Sequence, residues 1–552
     1  MIFVNIIGHV FYGTLDMTEE KRFTLTPATK KLLAQETGPI FIRVFLEGEF
    51  PAGFKRLQEA TRDVIEDFRT HNPEINYVFD NPSDGNPQEI NERRKALGEK
   101  NIYPTNLRVK DVDETKQLII YPYALINLGN REVSINLLES EVIGVPNEVV
   151  LNNSVALLEY KLANAIQKLI LTRRNKIIFL QGHEELNRNQ VKDLRATLAP
   201  FYDTDLVNLD SVVSVPSSID VMVIAKPKNT FSEKDKFKID QYVMNGGKVM
   251  WLIDRLAVNL DSLQGRSDYI PNDYPLNIED QLFKYGARVQ PNLILDLECT
   301  RIPLVSGQLG SGKQFDLFPW YYHPLVAPKS SHPIVKSLDR VNLFFPSSVD
   351  TVKTKTPVKS TVLLSSSARS RLQFTPVRLD FEILRYEPDP SKFNKGEQPI
   401  AVLLEGEFAS LYENRVPEQM ASGLSSLGLE YKTRSVPNRM IVVGDGDIAK
   451  NLYNSETDEF QPLGYNKFER RPFQANKDFM INSIEYLMDD EGVIEARSKE
   501  VKLRMLDTVR ARSQRGTWQF VNIGLPLIFL FGFGFLYNYW RRKKYGKHNR
   551  AA

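Results

Sequence analysis

VMVIAKPKNTFSEKDKFKIDQYVMNGGKVMWLI, residues 221–253, carries the signal on which the fold turns. Val221 to Ala225 is wholly apolar and bounded by polar residues, the pattern of a buried strand. Ser232 then stands where an N-cap belongs, its hydroxyl placed to accept from the free amides of a first helical turn. The helix expected from Ser232 to Asn245 closes on Gly246-Gly247, because glycine takes the left-handed backbone of a helix end without a Cβ penalty. Lys248 to Ile253 returns to an apolar strand. Strand, helix and strand in this order are a parallel crossover unit.

The same alternation extends on both sides. Upstream, Asn153 to Leu171 predicts a long amphipathic helix, with Leu157, Leu158, Leu162, Ile166, Leu169 and Ile170 apolar. Ile177 to Leu180 predicts a strand and Arg188 to Ala199 a helix. Downstream, strands Ile400 to Leu404 and Met440 to Val443 and the helix Asp478 to Met488 complete the sheet. The expectation is an α/β, doubly wound (flavodoxin-like) domain over 150–490. Its Pro-, Ser- and aromatic-rich stretch 300–395 reads as a large insertion.

Residues 26–145 read as a separate α/β domain. Thr26 can cap a helix that Pro27 opens. Ile40 to Leu46 predicts a buried strand. Phe54 to Thr70 is a helix with Phe54, Leu57, Val64, Ile65 and Phe68 on one face, and Asn76 to Phe79 a second strand. Asn81 to Lys100 suits a surface helix with loops, and Lys116 to Ala124 and Glu132 to Leu137 read as neighbouring antiparallel strands. This order is similar to a thioredoxin-like layout, but lacks the cysteines: Cys299 is the only one in the chain. Leu-Glu-Gly-Glu-Phe occurs at 46–50 and again at 404–408, each time leaving a strand, which predicts the same exit geometry twice.

At 552 residues the chain is too long for one core. Its 71 Lys+Arg against 69 Asp+Glu give no whole-chain argument for nucleic acid. Gly516 to Trp540 carries no formal charge, and 518–540 is long enough to cross a bilayer as a helix. Trp518 lies at one edge and Tyr537, Tyr539 and Trp540 at the other, where aromatic belts form. The basic tail 541–552, opening with Arg541-Arg542-Lys543-Lys544, belongs in the cytoplasm by the positive-inside rule, which puts the body on the other side. Residues 494–515 predict a charged membrane-proximal helix. Ile2 to Tyr12, within 1–14, reads as the remnant of an N-terminal anchor, or else as a buried strand or helix end.

Candidate chemistry is sparse. The six histidines never fall at metal-ligand spacing, so no metal site is expected. Gly307 to Gln314 fits GxxxxGK but has Gln where magnesium needs Ser or Thr, and Pro319 blocks the helix a P-loop requires. Gly182-His183-Glu184-Glu185 follows a strand at the edge where α/β sheets place ligands. It could bind a polar ligand or, with His183 and Glu184, serve a glycan-acting or other hydrolase; the plain alternative is an exposed turn. The turn after Ala225 is Lys226-Pro227, with no nucleophile for an amidotransferase or hydrolase. Gly444-Asp445-Gly446-Asp447 could seat a cation or a sugar hydroxyl, or simply be a sharp turn before a helix from Ile448. Ligand-binding candidates are therefore Gly182, His183, Glu184, Glu185, Asp445 and Asp447, with no catalytic, cofactor or metal residue assigned.

Four phrases carry a family resemblance: Leu15 to Thr26, Phe50-Pro51-Ala52-Gly53-Phe54-Lys55-Arg56-Leu57, Ser331-His332-Pro333-Ile334-Val335-Lys336 and Val443 to Asp447. In this order, with the C-terminal helix, the chain resembles the GldG family, auxiliary components of the gliding-motility-associated ABC transporter. The resemblance implies an ATPase partner (GldA-like), a permease partner (GldF-like), a link to gliding motility and secretion, and a glutamine-amidotransferase-like sheet without the catalytic cysteine in the middle region; it offers no catalytic residue to carry over, and no cofactor is expected. It also allows a homodimer within the transporter, and implies a first membrane helix that this sequence largely lacks. A purely structural envelope scaffold is the remaining alternative.

Overall fold

A computed structural model describes residues 24–35, 38–110, 115–139, 146–171, 173–263, 266, 268–309, 312–384, 386–413, 415–416, 431–498 and 513–545. The expected anchor remnant at 1–14 and most of the Leu15 to Thr26 phrase lie outside them. Met1–Val501 is one compact unit and Lys502–Ala552 a second.

Thr26 caps α1 (Pro27–Leu33) as expected, its hydroxyl accepting from the Thr29 amide. β1 (Ile40–Val44) buries Ile40, Ile42 and Val44 but turns Phe41 and Arg43 to solvent, so it is covered on one face only. α2 (Ala52–His71) buries Phe54, Leu57, Ile65 and Phe68, and β2 (Ile75–Phe79) pairs parallel with β1. α3 (Pro87–Glu99) starts on a reciprocal cap between Asn86 and Glu89. Two hairpins follow: β3 (Thr105–Lys110) with β4 (Thr115–Ile120), then β5 (Tyr123–Leu128) with β6 (Arg131–Asn136). The single strand expected over Lys116 to Ala124 is thus two, broken at Tyr121-Pro122, where proline has no amide for the ladder. The sheet order is β2-β1-β5-β6, with β1 and β5 antiparallel.

The long helix expected from Asn153 is also two, α4 (Asn147–Ala156) and α5 (Leu158–Ile170), parted at Leu157. α5 buries Leu158, Leu162, Ile166 and Leu169 in the core beneath the first sheet.

The larger sheet begins with β7 (Lys176–Gln181), α6 (Lys192–Leu198) and β8 (Asp203–Asn208). β8 was not legible: Asp-Thr-Asp-Leu-Val-Asn is a polar edge strand with no fully buried residue. β9 (Val221–Ala225), α7 (Glu233–Met244) and β10 (Lys248–Leu252) bear out the opening stretch, with the Ser232 hydroxyl accepting from the Asp235 amide and Gly246 at φ +94°. α8 (Glu279–Tyr285) precedes a long hairpin, β11 (Cys299–Leu309) and β12 (Gly312–Val326). β13 (Val358–Ser365), β14 (Pro399–Gly406), β15 (Asn438–Val443) and α9 (Gln474–Met488) complete the unit.

The seven strands run β13-β14-β15-β10-β9-β7-β8. The five from β15 to β8 are mutually parallel, while β14 and β13 add antiparallel at one edge. The stretch 300–395 is therefore not wholly an insertion, since it supplies β13. Helices cover both faces. α6 and α9 bury Leu194, Leu198, Phe479 and Ile484 on one side; α7 and α8 bury Ile239, Val243, Leu282 and Tyr285 on the other. Each of the Leu, Ile, Val and Phe side chains among these contributes about 1.5–3 kcal/mol on burial. Glu485 of α9 ties into α5: Lys168 Nζ lies 2.6 Å from its carboxylate, Asn164 donates at 3.1 Å, and Tyr160 donates a further hydrogen bond.

The repeated Leu-Glu-Gly-Glu-Phe phrase has one geometry in both places: Gly48 sits at φ +141° and Gly406 at φ +145°, conformations an L side chain rarely adopts.

In the second unit, Arg515–Lys544 is one continuous helix long and apolar enough to cross a membrane. It extends past the expected 518–540 and contains a π-turn, Phe520–Gly524, before α10 (Leu525–Tyr545). Pro526 lies just beyond that turn, and widening the helix relieves the bond and clash that proline imposes on the preceding turn. Phe529, Phe531, Phe533 and Phe535 are each at least 70% exposed, so the helix has no protein core of its own. Of the helix expected over 494–515, Val493–Ser498 is a 3-10 turn and 499–512 lies outside the described residues.

Candidate functional site

Chain order jumps within the parallel sheet at β7, which has β8 on one side and β9 on the other. Crevices at the carboxyl ends of strands beside such a point are where open α/β sheets bind ligands. Both candidate turns lie along this edge.

The Gly182 to Glu185 turn follows β7. Gly182 is at φ +126°, and a Cβ there would stand 3.0 Å from Asn208 Oδ1. His183 is buried and stacks on Phe231 with ring centroids 3.7 Å apart. Its Nδ1 lies 3.2 Å from Glu185 Oε1 and its Nε2 3.5 Å from Asp235 Oδ2. The His183 carbonyl accepts from the Lys228 and Asn229 amides. Glu185 is buried with it, whereas Glu184, at φ +55°, points to solvent. Imidazole and Glu184 are therefore not brought together, and the ring is packed against Phe231.

The second turn brings together residues far apart in sequence. Lys226 follows β9, Asp254 follows β10, and Gly444 to Asp447 follows β15, so three adjacent strands end in charge. Lys226 Nζ is 2.8 Å from Asp254 Oδ2 and in direct contact with Asp447 Oδ2. Asp445 is fully buried; its oxygens accept from the Asp447 amide and the Phe344 amide, each at 2.8 Å. Lys450 Nζ completes the group, 3.4 Å from Asp447 Oδ1. The glycines are required by closeness: a Cβ on Gly444 would stand 2.1 Å from the Ser347 carbonyl oxygen, and one on Gly446 2.6 Å from Lys226 Cβ.

Electrostatics divide the carboxylates. Burial opposes the charge of Lys226, but Asp254 and Asp447 outweigh it and raise its pKa. Burial likewise disfavours ionised Asp447, yet Lys226 and Lys450 hold it below its ordinary value. Asp445 is pushed well above the usual carboxylate range, by burial first and then by the charges of Asp254 and Asp447. Burial also raises Asp254 against the pull of Lys226. The place a metal cation would take among these carboxylates is filled by the Lys226 ammonium. The helix expected from Ile448 is a single 3-10 turn, Asp447–Ala449. The sequence alone singles out the two aspartates; Lys226 figures there only as a non-nucleophile, and Asp254 not at all. Lys226 and Asp254 are each the first charged residue after a buried apolar run, Val221 to Ala225 and Val249 to Ile253, which is the signal that could have found them. Asp447 and Lys450 also reach the wall of a cavity of about 110 Å³.

A family model described as "ABC-type uncharacterized transport system" matches residues 174–483, more than half of the chain, and a domain of unknown function (DUF7088) matches 19–127. An uncharacterized protein of Borreliella burgdorferi is 22% identical over 459 residues, covering 80% of this chain and 83% of its own. The mmIFT52 N-terminal domain aligns at 12% identity over 56% of this chain and 97% of its own, with a TM-score of 0.31, too low to bear on fold or function.

Proposed function

We propose, from the premise that this chain belongs to the ABC-type uncharacterized transport system family, that it is a membrane-anchored, non-catalytic auxiliary subunit with its body outside the cytoplasm. The observation that carries this is the family match over 174–483 joined to a C-terminal helix of membrane-spanning length. Arg541 to Lys544 at the end of that helix favour a cytoplasmic tail and a periplasmic body.

The finer reading has its own supports. The order β2-β1-β5-β6, with one parallel pair flanked by antiparallel strands, supports a thioredoxin-like domain over 26–145 without its cysteines. The order β8-β7-β9-β10-β15 is the 2-1-3-4-5 progression of flavodoxin-like sheets, supporting a doubly wound domain over 150–490. The phrases at 50–57, 331–336 and 443–447 support a GldG-like role, with GldF-like permease and GldA-like ATPase partners and two copies per transporter. Of the two turns, we take Asp445 to Asp447 as the ligand-presenting one, because Asp447 lines a cavity. Gly182 to Glu185 we take as structural.

Purification of the tagged full chain from native membranes should bring down one permease and one ATPase. Recovery of neither, with the chain intact and folded, would refute the assignment. Membrane-impermeant labelling of cysteines introduced at exposed positions, such as Asp84→Cys, should succeed in spheroplasts; labelling only after lysis would refute the orientation.

A further inference from the structure

The cavity beside Asp447 is walled by Phe344, Phe345, Phe468, Leu260 and Leu452, and at about 110 Å³ it is close to the size that holds one benzene ring. His323, on β12, lines it while only 1% exposed. Phe344 and Phe345 meet its ring edge-on, with centroids 4.8 and 5.0 Å away. Neither His323 Nδ1 nor Nε2 has a hydrogen-bond partner among the described residues. Burial pushes the imidazole pKa down to about 3, so the ring is neutral and offers one donor and one acceptor. Leaving both unmet in a low-dielectric wall costs free energy that a bound polar group would recover.

The other polar liners are largely committed. Asn259 Oδ1 accepts from the Ser262 amide and hydroxyl at 2.8 and 3.0 Å, and Asn476 exchanges two hydrogen bonds with the Asn342 backbone. Asp447 is held by Lys226 and Lys450. A polyhydroxylated ring would leave several hydroxyls unpaired against phenylalanine. An ionised ligand would find the mouth lysines already facing carboxylates, Lys450 with Asp447 and Lys467 with Asp261 at 3.9 Å.

We propose that this cavity binds a single uncharged aromatic ring carrying one amide or hydroxyl group, with the ring against the phenylalanines and the polar group on His323. The proposal rests on the Asp447 turn being the ligand-presenting edge and names the chemistry that edge accepts. The ring can belong to a free small molecule or cap a larger one.

The test uses the full chain in lipid nanodiscs and saturation-transfer NMR, with empty nanodiscs subtracting partition into lipid. Benzamide is the probe, with toluene and methyl glucoside as comparisons. Benzamide should bind saturably and roughly tenfold more tightly than toluene, and methyl glucoside should not compete. Leu452→Trp, which fills the cavity, and His323→Phe, which removes the polar partner, should each weaken benzamide at least about tenfold while unfolding as cooperatively as the parent. No saturable benzamide signal up to about 10 mM would overturn the proposal. So would equal binding of toluene, competition by the glucoside, or unchanged binding in a folded Leu452→Trp chain. Because co-purification with the permease and ATPase is read separately, the pocket can fail while the transporter assignment stands.

Discussion

Replacing Lys226 by methionine removes the ammonium that contacts both Asp254 and Asp447 and keeps the aliphatic stem. The lysine side chain is only 9% exposed, and Asp254 6%, so water cannot take over its role. Stranding one partner of a buried pair costs about 3–5 kcal/mol. Lys226 also holds a left-handed backbone, φ +55°, which costs a non-glycine residue about 1–2 kcal/mol. Lys226→Gly relieves that strain but also deletes the buried stem, so the cleaner comparison is Lys226→Met combined with Asp254→Asn and Asp447→Asn, which should recover most of the loss. Urea unfolding of the full chain in detergent, followed through the fully buried Trp251 and Trp320, supplies the midpoints. The pH dependence has a definite sign. Without Lys226 the pKa of Asp254, already raised by burial, rises further, and Asp447 rises from its depressed value with only Lys450 left to hold it down. The penalty is then full at neutral pH and shrinks as pH falls through those raised values toward about 4. A Lys226→Met chain within about 1 kcal/mol of the parent at pH 7 would refute the account, as would a gap that does not close on acidification.

Three further outcomes are expected. Glu485→Gln should cost about 3 kcal/mol by stranding Lys168, 12% exposed, and adding Lys168→Met should restore much of it, measured by the same unfolding curves. His323, held down to about pKa 3 by burial, gives stability that is complete above its unfolded value near 6.5 and is lost as pH falls toward 3; His323→Phe should flatten that part of the acid curve. Cys299, with its thiol pushed up to about 12 by burial first and Asp296 second, should resist maleimide at neutral pH for far longer than an exposed introduced cysteine.

How far the chain could be read from its sequence follows from where the signal lies. Val221 to Ile253 was legible because strand, cap, helix and glycine stop each have a local physical cause. The C-terminal helix was legible from uncharged length alone. β8 was missed because an edge strand of Asp-Thr-Asp-Leu-Val-Asn has no apolar run, and the hairpin β11–β12 because Pro303, Gly307, Pro319 and Pro324 interrupt its alternation. Within the site, Asp445 and Asp447 stood out beside their glycines. Lys226 and Asp254 are marked locally only as the first charge after an apolar run; that they and His323 meet the aspartates follows from strand order and long-range packing.

The ammonium of Lys226 does more than neutralise charge: it clamps the ends of three neighbouring strands into one block. A pull on the Gly444 to Lys450 segment is shared at once by β9, β10 and β15, so that segment cannot act as a loose flap. Any signal arriving there is expected to tilt the sheet bodily, as a load on a bracket moves the whole bracket.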